Sequence, residues 1–441
     1  MRIREHLING MKHALPVLST ILLTLSFSAT ADDTWPSQAA GAQAAGFTEQ
    51  GINRLDAAME KIVNDNDVAG MVWLLAKDGV VATFDTQGYN ALETQTPMEL
   101  DSLFRIYSMT KPVTGVALMI LHERGLWNFD DPVSKYVPEL ADLSVMTSYD
   151  DNGRVTTVPV GREPTMRELL NHSAGFGYGL SGRDPVNTAF RETRVLASDD
   201  LDQLIDKVKD IPLLFQPGEQ WFYSIAVDIQ GYIVQQIAGM KFGDFLQKEI
   251  FQPLAMSDTR FFVQEEDHER LAQIHSWDRG RNKLAQRTRR SSSFGYFDPS
   301  RIESGGDGLV SSTHDYARFL QMLVNEGELD GQRILTPESV RIMRTNSLRD
   351  ELNIRQTDTD PGTAGEGFGV DFAVIYDPAA TNSPQSAGTY YWSGAGGTWF
   401  WIDPIQDMFF IGMVQSMGTS RPGEADKRIV ARDIIYASLA D

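Results

Sequence analysis

Apolar positions in the first part of the chain recur at helical spacing and are followed by two strand-like runs. Between residues 48 and 64, apolar side chains return every three or four positions, which predicts an amphipathic helix. Apolar and β-branched runs at 71–76 and 80–85 flank Asp78-Gly79, and such a turn favours a hairpin of antiparallel strands. The pattern therefore predicts a helix followed by two paired strands.

The C-terminal part shows the same strand-like pattern. Aromatic and β-branched runs at 389–393, 398–402 and 408–414 are separated by Gly-rich or Asp-Pro turns, and a helix is predicted from about 426 to 439. The region between about 125 and 300 is rich in helix and loop patterns. These features predict an α/β (α+β) fold, with one antiparallel sheet built from both chain ends, flanking helices and an inserted mainly helical region.

Residues 1–31 contain the segments of a secretory signal peptide in the usual order. Basic residues precede an apolar run at 14–27, and Ala29-Thr30-Ala31 follows, so we predict cleavage after Ala31. The alternative is a membrane anchor, but about 14 apolar residues are fewer than the ~20 that a spanning helix needs. The start codon is Met1 or Met11. The mature protein is expected in the periplasm or outside the cell, without stable membrane insertion.

Composition changes along the chain suggest its further organisation. Small residues at 32–46 predict a flexible leader, and the Gly-, Thr- and Asp-rich stretch 357–369 predicts a long surface loop or a disordered segment. The predicted divisions are a signal peptide (1–31), a leader (32–46) and one folded domain (47–441), in which 47–124 and about 301–441 contain the sheet and about 125–300 is mainly helical.

Composition also excludes several classes of function. The 441 residues include 39 Lys and Arg against 60 Asp and Glu, a formal charge of −21, and such an acidic surface repels nucleic acid. The chain has no Cys, so disulfides, thiolate nucleophiles and Cys-ligated metals are excluded. We find no cofactor or metal motif. The sequence does not predict the oligomeric state.

The segment around Ser108 carries the candidate chemistry. Ser108 precedes a helical apolar pattern, and Pro112 fits only near the first turn of that helix. Lys111 then lies on the same face as Ser108, three residues away, where a neutral lysine amine can act as a base for the serine hydroxyl. Alone, Ser-x-x-Lys is a weak signal, because serine is common at helix N-termini.

Five segments in order make the chain resemble the serine β-lactamase and penicillin-binding-protein superfamily, above all class C β-lactamases and family VIII carboxylesterases. They extend from about residue 50 to 438. The matching segments are Ser108-Met109-Thr110-Lys111, TMRELLNHSAG at 165–175, Gln216-Pro217-Gly218 with Tyr223-Ser224, Gly305-Gly306-Asp307-Gly308-Leu309-Val310-Ser311-Ser312, and Trp392-Ser393-Gly394.

The resemblance implies a β-lactamase-like fold and an acyl-enzyme mechanism. Ser108 would attack the carbonyl carbon, Lys111 would help to deprotonate Ser108, and Tyr223 would protonate the leaving group and later activate water. The division of roles between Lys111 and Tyr223 stays open. The main-chain N–H groups of Ser108 and Ala395 would form the oxyanion hole.

Departures from the family pattern favour esters as substrates. Penicillin-recognising relatives carry Lys-Thr-Gly where this chain has Trp392-Ser393-Gly394, so a cation that helps to bind a substrate carboxylate is absent there. Ile225 replaces the Asn that class C enzymes use for an amide side chain. Aromatic residues near the predicted site suggest an apolar substrate pocket; they are Tyr107, Phe176, Tyr178, Trp221, Phe222, Trp392 and Trp399.

The sequence therefore predicts a serine hydrolase that cleaves small-molecule esters of small or medium acids. Trp392, Ser393, Gly394, Tyr107 and Phe176 are predicted to bind the substrate. One alternative is a β-lactamase or a D-amino-acid peptidase, similar to a DD-carboxypeptidase, that acts on cell-wall peptides. A second alternative is a silent penicillin-binding sensor.

Overall fold

The computed structural model describes residues 35–36, 39–180, 182–287, 295–349, 352 and 364–440. The predicted signal peptide, 1–31, lies outside these ranges, as do residues 357–363 of the predicted loop. Within the described ranges, no helix is both long and apolar enough to span a bilayer.

The described part of the chain contains helices and strands in mixed order. The α-helices are α1 (Glu49–Asn64), α2 (Thr110–Glu123), α3 (Met166–Leu170), α4 (Pro185–Glu192), α5 (Leu201–Val208), α6 (Ala226–Ala238), α7 (Phe242–Leu246), α8 (Thr313–Val324), α9 (Pro337–Met343), α10 (Pro378–Thr381) and α11 (Lys427–Tyr436). The strands are β1 (Gly70–Lys77), β2 (Val80–Ala91), β3 (Thr96–Pro97), β4 (Leu103–Arg105), β5 (Ser144–Tyr149), β6 (Val155–Pro159), β7 (His275–Asp278), β8 (Lys283–Gln286), β9 (Val310–Ser312), β10 (Glu328–Leu329), β11 (Gln332–Arg333), β12 (Glu366–Phe368), β13 (Ala373–Ile375), β14 (Tyr390–Ser393), β15 (Trp399–Asp403) and β16 (Met408–Val414).

Eight of the described strands form one antiparallel sheet in the order β12-β13-β14-β15-β16-β1-β2-β3. Strand β1 lies between β16 and β2, with Trp73 opposite Gly412 on one side and Asp85 on the other. Strands from both chain ends therefore build the same sheet, which confirms the predicted architecture.

The predicted helix and hairpin near the start of the fold are confirmed. Thr48 is the N-cap of α1, where its side chain accepts a hydrogen bond from the main-chain N–H of Gly51. Asp78 and Gly79, with φ angles of 52° and 73°, form the turn between β1 and β2. Positive φ at both positions matches the right-handed twist of paired strands.

The sheet separates two apolar cores. Along β1, Val72 and Leu74 belong to the main core, whereas Trp73 and Leu75 belong to a second core that also includes residues of α1 and α11. This alternation follows from the two-residue period of a strand. The main core contains apolar residues of the helical region and, from α2, apolar residues between Val113 and Leu121.

Helix α2 is enclosed by the main core. Every residue from Thr110 to Leu121 is buried, and α6 packs against α2. A helix that is apolar on all sides is typical of a protein interior. The predicted helical region, 125–300, contains α3 to α7 but also two hairpins, β5–β6 and β7–β8.

Two segments differ from the sequence-based expectations. Residues 39–46, part of the predicted leader, pack on the fold: Ala40 N–H donates to the Val81 carbonyl at 2.9 Å, and Ala42 and Ala45 are buried in the second core. The packed chain therefore begins before Phe47, because small side chains allow close approach to the sheet. Within the predicted loop 357–369, strand β12 pairs with β13. Strand β12 has only three residues, which are too few to show the two-residue hydrophobic period that predicts a strand.

Candidate active site

A short turn brings Ser108 to the start of α2. Strand β4 leads into the 3-10 turn Tyr107–Met109, which continues directly into α2. Tyr107 has a φ of 45°, which is rare for a residue with a side chain. Ser108 is partly buried at the N-terminal end of α2, where main-chain N–H groups favour negative charge. Pro112 lies in the first turn, where proline interrupts no helical hydrogen bond.

Lys111 is fully buried and its Nζ contacts three oxygen atoms. It donates to the Gly306 carbonyl at 2.7 Å and lies 3.3 Å from the Tyr178 hydroxyl and 3.5 Å from Ser108 Oγ. The helical spacing thus brings Lys111 within reach of Ser108. A neutral amine at this position can accept the serine proton.

Two tyrosines contact Lys111 through different parts of the side chain. Tyr223 presents its ring, with Nζ 4.6 Å from the ring centroid, and its buried hydroxyl has no hydrogen-bond partner among the described residues. Tyr178 presents its hydroxyl to Nζ. Burial, assisted by the nearby Asp228 carboxylate, raises the pKa of Tyr178 well above its usual value. Tyr178 therefore stays protonated.

Aromatic rings surround Tyr223, and we call Trp221, Tyr223, Phe368 and Trp392 the aromatic side of the site. Trp392 lies 5.5 Å from Tyr223 and 5.4 Å from Phe368, centroid to centroid. Trp221 stacks on Tyr223 with a centroid distance of 6.3 Å. These rings, of which only Tyr223 is more than slightly exposed, form an apolar cluster next to Lys111.

His172 supports the aromatic side from within the core. Its ring lies 5.0 Å from Tyr223, and its Nδ1 is 3.0 Å from Ser224 Oγ. Burial, with the charge of Lys111, lowers the pKa of His172 well below its usual value. The imidazole is therefore neutral, and it holds the residue that follows Tyr223.

A glycine-rich turn passes close to Lys111. A Cβ on Gly306 would lie about 2.5 Å from Asp228 Oδ2 and 3.0 Å from the Tyr178 hydroxyl, and a Cβ on Gly305 would clash with the Val227 carbonyl. Only glycine fits these approaches. The turn thus places the Gly306 carbonyl on Lys111 Nζ.

The loop between β14 and β15 lies beside the turn that carries Ser108. A Cβ on Gly394 would clash with the Ile106 carbonyl, and a Cβ on Gly396 would lie 3.0 Å from the Tyr107 ring. Ala395, the predicted second oxyanion donor, is exposed between these two glycines. The two segments expected to supply oxyanion N–H groups are therefore neighbours.

Three residues that the sequence predicts to bind the substrate lie in surroundings other than an open substrate pocket. Phe176 is 1% exposed in the main core. Ser393 follows Trp392 on β14 and, because side chains alternate, points to the α11 face, where it lines a cavity of about 360 Å³ with Arg428. Tyr107 is 3% exposed, its ring is nearly perpendicular to that of Tyr296, and burial raises its pKa to about 12.

No group of three His, Asp or Glu side chains in the described ranges is arranged to hold a metal ion.

Comparison with known proteins assigns the family. The family model described as Beta-lactamase matches residues 55–433. The chain belongs to the Beta-lactamase family. As a member of this family it is a serine hydrolase, and its sheet with flanking helices is the family's fold.

Relatives of this Beta-lactamase family member include enzymes that act on esters. An uncharacterized protein of Mycobacterium tuberculosis (strain CDC 1551 / Oshkosh) is 33% identical over 365 residues, covering 81% of this chain and 88% of the relative. Esterase EstB of Burkholderia gladioli is 29% identical over 407 residues, covering 87% and 95%. The solved structure of EstCE1, a hydrolase with promiscuous acyltransferase activity, has a TM-score of 0.73 at 24% identity and covers 88% of this chain and 99% of that chain.

The structure adds residues that the family motifs did not reveal. Tyr178 is noted in the sequence only as an aromatic residue, because its contact with Lys111 joins positions 67 residues apart. Gln415 accepts from Arg105 N–H at 2.9 Å and donates to the Arg105 carbonyl at 3.2 Å, across 310 residues. Gln415 thus ties β16 to the strand before Ser108, and no local pattern indicates it. Asp228, whose side chain bonds Ser304 across 76 residues, is a third such residue.

Proposed function

We propose that the protein hydrolyses carboxylic esters of small or medium acids through an acyl-enzyme on Ser108. Ser108 Oγ attacks the carbonyl carbon and its proton passes to Lys111. The alcohol leaves with a proton from Tyr223. Water then attacks the acyl-enzyme and gives a proton back to Tyr223, and Lys111 returns its proton to Ser108 Oγ as the acid leaves. The N–H groups of Ser108 and Ala395 stabilise the oxyanion in both steps.

The observation that carries this proposal is the position of Lys111. Its Nζ is buried, held by the Gly306 carbonyl at 2.7 Å, and 3.5 Å from Ser108 Oγ at a helix N-terminus. A structural lysine would be expected to reach solvent or a carboxylate partner, since buried cations are usually paired. Here the lysine faces a serine and two tyrosines.

The aromatic side supports an ester over a β-lactam or a peptide. Trp392 packs on Tyr223 where penicillin-recognising relatives have a lysine, and Ile225 is fully buried. An apolar surface stabilises an acyl or alkoxy group, whereas it offers no charge to a substrate carboxylate. The similarity to Esterase EstB points to the same substrate class.

The test compares bond types on one enzyme preparation. We expect p-nitrophenyl butyrate to turn over much faster than the chromogenic cephalosporin nitrocefin, and Ser108→Ala to lower ester turnover at least about 10³-fold. Ser300→Ala, at an exposed serine whose hydroxyl bonds Asp298, is the matched control and should leave turnover unchanged. Full ester turnover in Ser108→Ala would overturn the proposal, and faster nitrocefin hydrolysis would overturn the substrate class.

Transfer of the acyl group to an alcohol is a second candidate. A monacolin J acid methylbutanoyltransferase of Aspergillus terreus is 26% identical over 309 residues. An apolar surface beside the acyl-enzyme favours an alcohol with a hydrocarbon body over water. When an apolar alcohol is added to the same assay as the acceptor, transfer would release p-nitrophenol together with the butyrate ester of that alcohol, whereas hydrolysis releases p-nitrophenol and butyric acid.

We also propose that the enzyme works in the periplasm or outside the cell on a soluble small-molecule ester. The basic and apolar order of residues 1–31 supports this location. Mass spectrometry of the protein from its native host should find a mature N-terminus at Asp32. An intact N-terminus in the cytoplasmic fraction would contradict the proposal.

A further inference from the structure

Asp228 is a buried carboxylate for which the reaction proposed above has no use. It lies in the first turn of α6, five residues after Tyr223, and is 1% exposed. A carboxylate is costly to bury unless hydrogen bonds compensate for the lost hydration. The burial of the Asp228 carboxylate therefore has to be explained by its contacts.

The side-chain hydrogen bonds of Asp228 in the described part of the chain lead to the glycine-rich turn. Its Oδ1 accepts from the Ser304 hydroxyl and, at 3.2 Å, from the main-chain N–H of Gly306. Its Oδ2 has no partner among the described residues, and it lies about 2.5 Å from the place of a Cβ on Gly306. Asp228 thus holds Gly306 from one side.

Lys111 is bonded to the other side of the same residue. The Gly306 carbonyl accepts from Lys111 Nζ at 2.7 Å, the shortest contact of that nitrogen with an oxygen in the described part of the chain. Movement of Gly306 would therefore move the acceptor that keeps Nζ close to Ser108. A displacement of about 1 Å between reacting groups is enough to slow a reaction strongly.

We propose that Asp228 is a positioning residue, whose carboxylate fixes Gly306 so that the Gly306 carbonyl keeps Lys111 Nζ beside Ser108. This inference rests on the proposed roles of Ser108 and Lys111. Asp228 does not itself touch the substrate in this scheme. Its effect on turnover passes through the turn and through Lys111.

The charged state of Asp228 matters to this role. The titratable groups that face it are Lys111 on α2, Tyr178 in the loop after α3, and Asp307 in the turn. The Ser304 hydroxyl, with a single hydrogen, lies between Asp228 Oδ1 and Asp307 Oδ1, the latter at 2.8 Å. Burial and the charge of Asp307 raise the pKa of Asp228 to about 6. Above that pH the ionised carboxylate gives the strongest bonds to Ser304 and Gly306.

The test uses Asp228→Asn, which keeps the shape and loses the charge. We expect kcat for p-nitrophenyl butyrate to fall about tenfold at pH 8 with KM within about twofold of wild type. At pH 5 the wild-type carboxyl is itself protonated, so the two enzymes should become similar. The ratio of wild-type to variant kcat should therefore grow as the pH rises through about 6. A residue with only a structural role would give a constant ratio.

Asp315→Asn is the matched control. Asp315 is also a carboxylate in the first turn of a helix, 1% exposed, and it accepts a main-chain N–H from Asp258 at 2.7 Å. It lies outside the candidate site, so its kcat ratio should stay near one across the pH range. Ser304→Ala is a second variant, which removes one bond to Asp228 without changing charge and should lower kcat several-fold.

A second readout is the rate at which Ser108 is labelled by diethyl p-nitrophenyl phosphate. Ser108 Oγ attacks phosphorus and p-nitrophenolate leaves, so one equivalent of colour reports the nucleophile without turnover. Slower labelling of Asp228→Asn, at a melting temperature no lower than that of wild type, supports the inference. Wild-type kcat and labelling in Asp228→Asn, while Ser108→Ala is inactive, would overturn it and leave the proposed function intact. Activity in Ser108→Ala would overturn both.

Discussion

The two sides of the candidate site differ in how their polar atoms are satisfied. On the nucleophile side, which we define as Ser108, Lys111 and Gly306, Lys111 Nζ has three oxygen neighbours within 3.5 Å. On the aromatic side, polar atoms are buried without partners in the described part of the chain; they are the Tyr223 hydroxyl, Trp221 Nε1 and Trp392 Nε1. One side is fixed by hydrogen bonds and the other by ring packing.

This difference separates chemistry from recognition. Groups that act on the bond need a fixed geometry before the substrate arrives, because reorganisation during the reaction is costly. The aromatic side supplies shape and apolar surface, and its unpaired Tyr223 hydroxyl is free to exchange a proton with a leaving group. We infer that variants of the nucleophile side change kcat and that most variants of the aromatic side change KM.

Tyr223 and Tyr178 give the strongest test of this contrast. Tyr223→Phe removes the unpaired hydroxyl, and we expect kcat for p-nitrophenyl butyrate to fall about 10²- to 10³-fold, as for loss of a general acid. Tyr178→Phe removes a contact with Lys111 Nζ and should cost about tenfold. Both variants keep the rings that pack against each other at 5.5 Å.

The relative size of the two losses of kcat decides which tyrosine gives the proton to the leaving group. If Tyr178→Phe lowers kcat more than Tyr223→Phe, then the tyrosine whose hydroxyl contacts Lys111 carries the proton, and the role predicted for Tyr223 is wrong. Melting temperatures close to wild type in both variants would show that the losses are chemical. A leaving-group series would locate the step, because a general acid matters most for poor leaving groups.

Local patterns predict those parts of the molecule that local interactions determine. Helix α1 follows from apolar spacing with Thr48 as its N-cap, and the β1–β2 turn follows from Asp78-Gly79. The three-residue spacing of Ser108 and Lys111 likewise predicts their contact. In each case the interacting residues are close in sequence.

The partners of Lys111 and of the turn depend on long-range packing. Gly306 contacts Lys111 across 195 residues, and Asp228 contacts Ser304 across 76. Such contacts arise only when α2 and α6 pack together with the turn, and hydrophobic periodicity does not encode which polar atoms then meet. The orientation of Ser393 away from Trp392, by contrast, follows from the two-residue period of strand β14.

A variant of Trp392 tests whether the aromatic side binds the substrate. We expect Trp392→Ala to raise KM for p-nitrophenyl butyrate about tenfold, which equals about 1.4 kcal/mol of lost apolar contact, with kcat changed less. Trp399→Ala is the matched control, since Trp399 is 2% exposed on the next strand and belongs to the second core. Both variants lose a buried indole and should lose stability.

Only Trp392→Ala should change KM. An equal rise of KM in Trp399→Ala would mean that the effect comes from a loosened sheet. A fall of kcat without any change in KM would place Trp392 with the chemistry and would remove the contrast between the two sides. Butyrate and acetate esters would refine the result, because a lost apolar contact should penalise the longer acyl group more.

The smallest predicted effect concerns stability and the charge on Asp228. Burial and Asp307 raise the pKa of Asp228 from 3.8 to about 6, so the folded state binds this proton more tightly than the unfolded state. The free energy of unfolding that this group contributes therefore falls as the pH rises from about 4 to about 6, by at most about 3 kcal/mol. Asp228→Asn does not titrate. The difference in Tm, variant minus wild type, should become more positive by a few degrees over that range. Asp298→Asn is the control: hydrogen bonds from Ser300 lower the pKa of this exposed carboxyl below 3.8, so it titrates below about pH 4 and its difference should stay nearly constant between pH 4 and pH 6. A difference for Asp228→Asn that is independent of pH would mean that the fold holds the Asp228 carboxylate without an electrostatic cost.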